Sequence, residues 1–160
     1  MAVPIVRLLP TAAADGPHNM AADEVMLQSA EGGMASLRFY TWSEPTLSLG
    51  YFETEALHNA DPKLAGLPLV RRPSGGATIL HHHELTYSLA LPAGSPWQSR
   101  ESWICRFHHA IAGALEKLGV HARLAGCDEE QKLGELLCFQ HQTAGDLLIG
   151  PHKEIGRAHV

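Results

Sequence analysis

The chain has 160 residues, a formal net charge of −5, 45% apolar residues and 18% charged residues. This composition predicts a folded chain with a substantial core and excludes a disordered one. The acidic balance argues against a nucleic-acid partner, and no apolar run reaches the roughly 18 residues of a membrane span. The three cysteines form no CxxC pair, which argues against a disulfide framework or zinc ribbon and favours the reducing cytoplasm: Cys105, Cys127 and Cys138.

The first part of the chain predicts strands separated by one helix. A strand is expected over Val3–Leu9, and a helix capped by Asn19 is expected to run to about Ala30, because an asparagine side chain can accept from the free N–H groups of a first turn. Alternating residues predict strands over Ser36–Trp42 and Thr46–Gly50, joined as a hairpin. The alternation puts three side chains on one face of the first of these strands: Leu37, Phe39 and Thr41.

Short strands and one amphipathic helix are predicted in the remainder. The strands are expected over these ranges: Leu69–Arg72, Thr78–His81, Glu84–Leu91, Val120–Leu124 and Asp146–Ile149. Apolar residues at helical spacing predict a helix from about Arg100 to Leu118, capped by Ser99. Strands spaced this closely leave no room for the crossovers of a doubly wound sheet. The sequence therefore predicts one α+β domain, residues 1–160, with a mixed, mostly antiparallel sheet packed by helices.

Two adjacent arginines precede a tight turn in the stretch Val70–Leu91. Arg71 and Arg72 offer planar, permanently charged forks that suit carboxylates and phosphates. Gly75 and Gly76 would let the backbone approach a ligand closely. The alternative is a solvated basic pair at a strand end before a simple hairpin, which is the commoner explanation of so short a motif.

Three consecutive histidines follow this turn. In a strand, His81 and His83 share one face and His82 points to the other. The pair could hold a metal, but no third ligand is evident, so a metal site is the less favoured interpretation. We expect His81 to line a pocket and to make hydrogen bonds there.

Cys138 and Lys153 are each ambiguous when taken alone. A thiol near a lysine can have a lowered pKa and act as a nucleophile. A cysteine beside Phe139 is more often a small core residue, and most lysines are solvated surface charges. Neither residue predicts a function without the other motifs.

Four segments occur in an order that resembles the lipoate-protein ligase and octanoyltransferase family, whose catalytic domain is related to that of biotin-protein ligases. They are NMAADE (19–24), LRFYTWSEPTLSLGYF (37–52), RRPSGGATILHHHELTYS (71–88) and GDLLIGPHKEIGRAH (145–159). The resemblance runs nearly end to end and implies the fold of the biotin/lipoate protein ligase catalytic domain. Because family members continue beyond the lysine motif, it also implies that residues 1–160 are an incomplete catalytic domain.

The resemblance implies a pocket for an octanoyl or lipoyl group and assigns residues to it. Cys138 and Lys153 are the implied catalytic residues, and no metal ligands are implied in the transferase branch. The implied substrate-binding residues are Arg71, Arg72, Ser74, Gly75, Gly76, Ala77, His81 and Gly156. The implied partners are an acyl-carrier protein or a glycine-cleavage H-type protein, and lipoyl domains.

The branch of the family follows from two positions. Cys138 lies 15 residues before Lys153, which is similar to the cysteine-dependent transferases, and Ala77 stands where ligases commonly carry a third glycine. This favours an acyl thioester on Cys138, with Lys153 lowering the pKa of the thiol and polarising the carbonyl, and with no cofactor. The alternatives are a ligase that forms an acyl-adenylate with ATP and Mg²⁺, and a non-catalytic acyl-binding module.

Overall fold

The computed structural model describes residues 4–55, 61–132 and 141–155. The chain divides into two compact units, with the boundary between Gln98 and Ser99. The expectation that residues 1–160 act as one catalytic domain stays a prediction. The first unit contains β1 (Val6–Leu8), β2 (Ala12–Ala14), α1 (Gly16–Glu31), β3 (Ala35–Trp42), β4 (Thr46–Leu49), β5 (Leu69–Arg71), β6 (Ile79–His81) and β7 (Thr86–Ala90).

The strands of the first unit form two sheets. In one sheet, β7 pairs antiparallel with one edge of β3, while β1 and β2 pair in parallel with successive parts of the other edge. In the other sheet, β4 lies between β5, which is parallel to it, and β6, which is antiparallel. The predicted hairpin of Ser36–Trp42 with Thr46–Gly50 is therefore wrong. Both edges of β3 and of β4 have other partners, and the turn between them carries the chain from one sheet to the other.

Asp15 caps α1. Its carboxylate accepts from a backbone N–H of the first turn at 3.0 Å, and Pro17 occupies that turn, where a missing N–H costs nothing. Asn19 is fully buried within the helix, so the prediction that it is the cap is wrong. Its side chain donates instead to the carbonyl oxygens of Ala14 and Thr41, at 3.0 and 3.3 Å.

The more deeply buried face of β3 is polar as well as aromatic. Its buried residues are Ser36, Arg38, Tyr40 and Trp42. The opposite face, predicted from the apolar alternation, is only half-buried: Leu37, Phe39 and Thr41. A buried guanidinium must be fully hydrogen-bonded to be tolerated, so the partners of Arg38 determine how α1 sits on β3.

Arg38 is held by residues of the NMAADE segment. Its guanidinium donates to the backbone and side-chain oxygens of Asn19, and to the Asp23 carboxylate at 3.2 Å. The Tyr40 hydroxyl donates to the same carboxylate at 3.2 Å. Burial raises the pKa of Asp23, and hydrogen bonds with Ser88, Tyr40 and Arg38 oppose this without cancelling it. The segment therefore anchors α1 to the sheet.

The second unit contains α2 (Trp103–Glu116), β8 (Ala122–Leu124), β9 (Gln131–Lys132), β10 (His141–Gln142), β11 (Leu147–Ile149) and β12 (His152–Ile155). β11 is the central strand of an antiparallel sheet in the order β12-β11-β8, and β9 pairs antiparallel with β10. Leu147 faces Ile155 and Leu148 faces Lys153. The extra residue, Glu154, is a β-bulge directly beside Lys153.

Helix α2 is shorter than predicted and differently buried. Ser102, not Ser99, caps it by accepting from the N–H of Ile104 at 3.3 Å. Its fully buried residue is His108, whereas Leu118 of the predicted apolar stripe lies beyond the helix and is exposed. The stripe correctly identified a helix, but the residue that this helix buries is the polar His108.

Among the described strands, the first unit contains parallel and antiparallel pairs, whereas the pairs of the second unit are antiparallel. Five of the eight strand pairings among the described residues are antiparallel and three are parallel. The predicted α+β class with mixed, mostly antiparallel pairing is confirmed, although the strands are divided among four sheets. Neither α1 nor α2, the described α-helices, has the length and apolar character that crossing a membrane requires.

Candidate functional site

The Arg72 guanidinium closes the Pro73–Ala77 loop onto β4. Its side chain is buried, and one terminal nitrogen donates to the carbonyl and hydroxyl oxygens of Ser48 at 2.7 and 3.0 Å. The other donates to the carbonyl oxygens of Gly75 and Ala77 at 2.9 and 2.7 Å. The structure thus gives Arg72 a direct role in shaping the loop.

Arg71 performs a similar task for the neighbouring loop, but from the surface. Its Nη1 donates to the carbonyl oxygens of Gly50, Tyr51 and Glu53, at 3.0, 3.0 and 2.7 Å. All three contacts come from one nitrogen of an exposed side chain. The two arginines therefore organise two adjacent loops, the one at 50–53 and the one at 73–77.

These two loops touch each other through backbone atoms. The N–H of Tyr51 donates to the Ser74 carbonyl at 2.9 Å. A Cβ placed on Gly50 would lie 1.8 Å from the carbonyl oxygen of Gly76, so only glycine fits at position 50. Gly76 itself has a φ of +92°, which glycine adopts without strain. The turn therefore favours glycine at position 76, the second glycine of the motif.

His81 is buried and uses both ring nitrogens. Ser48 Oγ lies 2.8 Å from Nε2, and Glu84 Oε1 lies 2.5 Å from Nδ1. Because an ionised carboxylate can only accept, His81 Nδ1 donates to Glu84. The Trp42 ring stacks on the imidazole at 4.0 Å. His81 makes the hydrogen bonds that were expected and connects β4 with β6, whereas its place in a pocket stays a prediction.

Glu84 accepts hydrogen bonds from both His81 and Thr86. Thr86 Oγ1 donates to the same carboxylate oxygen at 2.8 Å, and the Trp42 indole N–H donates to Thr86 at 2.9 Å. Burial raises the pKa of Glu84, but the hydrogen bonds from His81 and Thr86 outweigh it and hold the pKa below its usual value. A carboxylate that stays ionised keeps His81 in one orientation.

His82 and His83 are exposed and stack on each other, with ring centroids 3.6 Å apart. Within the described ranges, no group of three His, Cys, Asp or Glu side chains is arranged to hold a metal ion.

Lys153, on β12, lies in the second unit with its ammonium group enclosed. Its side chain is 7% exposed, and Nζ lies 2.9 Å from Oδ2 of the fully buried Asp146. Nζ also donates to the backbone carbonyl of His141 at 2.5 Å. A lysine side chain enclosed next to a buried carboxylate is uncommon, because most lysines are exposed.

The turn that carries Asp146 is held from several sides. Asp146 Oδ2 also accepts from the N–H and hydroxyl of Thr143, at 2.8 and 3.2 Å. The buried His108 ring, on α2, lies with Nδ1 2.6 Å from the Gly145 carbonyl oxygen. The Gly145 N–H donates to Ala125 at 3.0 Å, and the Ala125 N–H donates back to Asp146 at 2.8 Å. Asp146 is therefore fixed in place by α2 and by the end of β8.

Two predicted residues, Cys138 and Gly156, lie outside the described residues. Cys138 belongs to the connection between β9 and β10, whose strands pair with Lys132 opposite His141. The structure thus places Arg71, Arg72, Ser74–Ala77 and His81 together in the first unit, and Lys153 in the second.

Three polar residues with direct contacts to predicted site residues were missed from the sequence: Ser48, Glu84 and Asp146. Glu84 lies within the ELTYS segment, and Asp146 lies seven residues before Lys153 in the last family segment. Their position inside matching segments was the available signal. Ser48 offered the same signal, because it lies within the LRFYTWSEPTLSLGYF segment (37–52).

The comparisons with known proteins agree with these segments. The profile described as the lipoyl protein ligase A/B catalytic domain matches residues 15–158. The chain belongs to this family. A similar curated protein is octanoyltransferase LipM of Carboxydothermus hydrogenoformans, 38% identical over 154 residues that cover 91% of this chain and 56% of the relative. The chain thus spans little more than half the length of that family member.

Solved structures of the family have the same fold. A crystal structure of lipoate-protein ligase A bound with ATP matches with a TM-score of 0.70 at 24% identity, covering 95% of this chain and 60% of that one. A bi-partite lipoate protein ligase from Thermoplasma acidophilum, described with its E2 lipoyl domain, matches with a TM-score of 0.54 at 25% identity, covering 74% and 48%. The predicted family and fold are confirmed.

Proposed function

We propose that this family member transfers an octanoyl or lipoyl group to a lysine of a lipoyl domain through a thioester on Cys138. The observation that carries the proposal is the enclosed ammonium of Lys153, in contact with Asp146 and the His141 carbonyl. The 38% identity to an octanoyltransferase supports the transferase chemistry over the adenylate chemistry.

The contact between Lys153 and His141 supports a role for Lys153 beside Cys138. His141, whose carbonyl accepts from Nζ, follows Cys138 by three residues. Chain connectivity limits the separation of their Cα atoms to roughly 11 Å. A cation near a thiol favours the thiolate, which is the nucleophilic form. The same ammonium can donate to an oxyanion that forms nearby.

The reaction takes place in two halves. In the first, the Cys138 thiolate attacks the thioester carbonyl of an octanoylated carrier protein. The new carbon–sulfur bond forms as the carrier leaves as its thiolate, which then takes a proton. Lys153 stabilises the negative charge on the carbonyl oxygen in the tetrahedral intermediate.

In the second half, the neutral amine of the acceptor lysine attacks the Cys138 thioester. An amide bond forms, the Cys138 thiolate leaves, and the amine releases a proton to solvent. No ATP, Mg²⁺ or other cofactor is consumed, because the energy of the thioester bond drives the transfer. The donor is an acyl-carrier protein or a glycine-cleavage H-type protein, and the acceptor is a lipoyl domain.

The loop at Ser74–Ala77 is the acyl-binding loop in this proposal. The terminal nitrogens of Arg72 donate to Ser48 and to the loop carbonyl groups, so we assign the contact with the acyl group to Ser74–Ala77 and not to the guanidinium groups. His81 supports this loop indirectly, because it contacts Ser48, which accepts from Arg72. Gly156 retains the substrate-binding role that the family segment implies.

The test is intact-mass spectrometry after mixing with an octanoylated carrier protein in the absence of ATP. We expect an octanoyl adduct on the wild-type chain and on the control variant Cys105→Ser, and a loss of the thioester in Cys138→Ser. An octanoylated lipoyl domain should then appear with the first two proteins only.

Three results would overturn this assignment. Transfer at the normal rate by Cys138→Ser would exclude the thioester, and octanoyl-adenylate formed from octanoate, ATP and Mg²⁺ would favour the ligase alternative. Binding of octanoyl groups without either adduct would favour the non-catalytic acyl-binding module.

A further inference from the structure

We propose that Asp146 is the positioning residue of Lys153, which fixes the ammonium where the reacting carbonyl oxygen will lie. This inference rests on the proposed function for its catalytic meaning, but its structural basis is independent of it. Asp146 is fully buried, and its Oδ2 lies 2.9 Å from Nζ. A buried ion pair of this kind is weak evidence for stability, which makes a role in orienting the lysine the better explanation.

The carboxylate itself cannot easily move. Oδ2 accepts from both the N–H and the hydroxyl of Thr143, while the backbone of Asp146 is bonded to Ala125 and Thr143. The Gly145 carbonyl is bonded to His108 of α2. A charged group whose support is rigid can orient its partner without reorganising during the reaction.

The second carboxylate oxygen of Asp146, Oδ1, differs from Oδ2 in its contacts. Asp146 Oδ1 is buried and makes no hydrogen bond with any described residue. Burying an acceptor lowers stability unless donors compensate it, and the donors described for this carboxylate, on Thr143 and Lys153, reach Oδ2. A role in holding Lys153 explains why the chain buries a carboxylate here at a cost in stability.

The position of Lys153 on its strand fits the same role. Glu154, the bulged residue of β12, directly follows it, and a bulge turns the neighbouring side chain away from its regular direction. A flexible lysine would otherwise sample many rotamers. Asp146 and the His141 carbonyl hold it from two sides.

The first test is labelling of lysines by an amine-reactive reagent, read by peptide mass spectrometry. Asp146→Asn should release the Lys153 side chain and raise its labelling severalfold, while labelling of Lys117 stays unchanged. Glu130→Gln is the matched control, because Glu130 Oε1 accepts from Ala144 in the same turn at 3.2 Å. Unchanged labelling of Lys153 in Asp146→Asn would overturn the inference, and so would a rise at every lysine, which indicates unfolding.

The second test is a double-mutant cycle of Asp146→Asn with Lys153→Met, followed by urea unfolding. Each single change leaves a charged or polar partner buried, so the double variant should be destabilised less than the sum of the two. Additive losses would contradict a direct pairing. This measurement needs no activity and remains informative if Cys138 proves dispensable.

The third test is kinetic. Acylation of Cys138 by the octanoylated carrier should fall about a hundredfold in Asp146→Asn, as expected when an oxyanion donor is misplaced. The KM for the acceptor lipoyl domain should stay unchanged, and Glu130→Gln should behave as wild type. In a Lys153→Met background, Asp146→Asn should cause no further loss. A further loss there would show that Asp146 acts without Lys153.

Discussion

Replacing each of the two adjacent arginines by lysine should have very different effects. Arg72 donates from two separate nitrogens, one to Ser48 and the other to the carbonyl groups of Gly75 and Ala77. Arg71 makes its three described contacts from one nitrogen. A lysine ammonium presents its three N–H groups from a single point. It can therefore imitate Arg71 but not Arg72.

The number and burial of the acceptors that lose a donor determine how much unfolding free energy each variant loses. In Arg72→Lys at least two buried acceptors lose their donor, and each loss costs about 1–3 kcal/mol, which gives roughly 2–6 kcal/mol of unfolding free energy. In Arg71→Lys the acceptors lie near solvent and the ammonium can reach them, so the change should stay within about 1 kcal/mol.

Urea unfolding followed by tryptophan fluorescence measures both variants, since Trp42 stacks on His81 within the affected network. The midpoint should fall strongly for Arg72→Lys, with the denaturant slope unchanged. Equal losses in the two variants, or a larger loss for Arg71→Lys, would refute the division of roles. It would mean that the exposed arginine, and not the buried one, holds the loops together.

Two further predictions concern a backbone contact and an ion pair. Gly50→Ala should destabilise the protein by about 1–3 kcal/mol, because the added Cβ would clash with Gly76. Gly113→Ala, at an open position in a helix, should stabilise it by about 0.5–1 kcal/mol. Urea unfolding curves with equal midpoints for the two variants would contradict this. The hydrogen bonds that Arg123 and the backbone of residue 126 donate to Glu129 lower the pKa of that carboxyl to about 2. Because the folded pKa is lowered, this ion pair stabilises the fold above about pH 4.5 and its contribution is lost as the pH falls towards 2. An NMR titration should find the low pKa in wild type and a higher one in Arg123→Gln, and a wild-type value near 4.5 would disagree with the structure.

Several features could be predicted from sequence because their signals are local. The four family segments identified the family, and apolar spacing located α2. The Arg-Arg and Gly-Gly pairs marked a turn that Arg72 closes and in which Gly76 has a positive φ. In each case the residues that carry the signal are neighbours in the chain, so no knowledge of distant partners was needed.

Predictions failed where a distant partner decides the outcome. Asn19 has the side chain of a helix cap, but Arg38, Ala14 and Thr41 hold it inside α1. The strands β3 and β4 looked like a hairpin, yet each pairs with strands from elsewhere in the chain. Contacts with distant strands decide which strands pair and which side chains are buried, and they outweigh the local turn propensity.

The sequence by itself determined the family, the α+β class and the identity of Lys153 as a candidate catalytic residue. Only the tertiary structure decided how that lysine is held. Asp146 and the His141 carbonyl come from either side of a turn that is fixed by His108, and their contacts with Nζ depend on chain folding over 7 and 12 residues. A sequence records which charges are present, whereas burial and hydrogen bonding determine which of them meet.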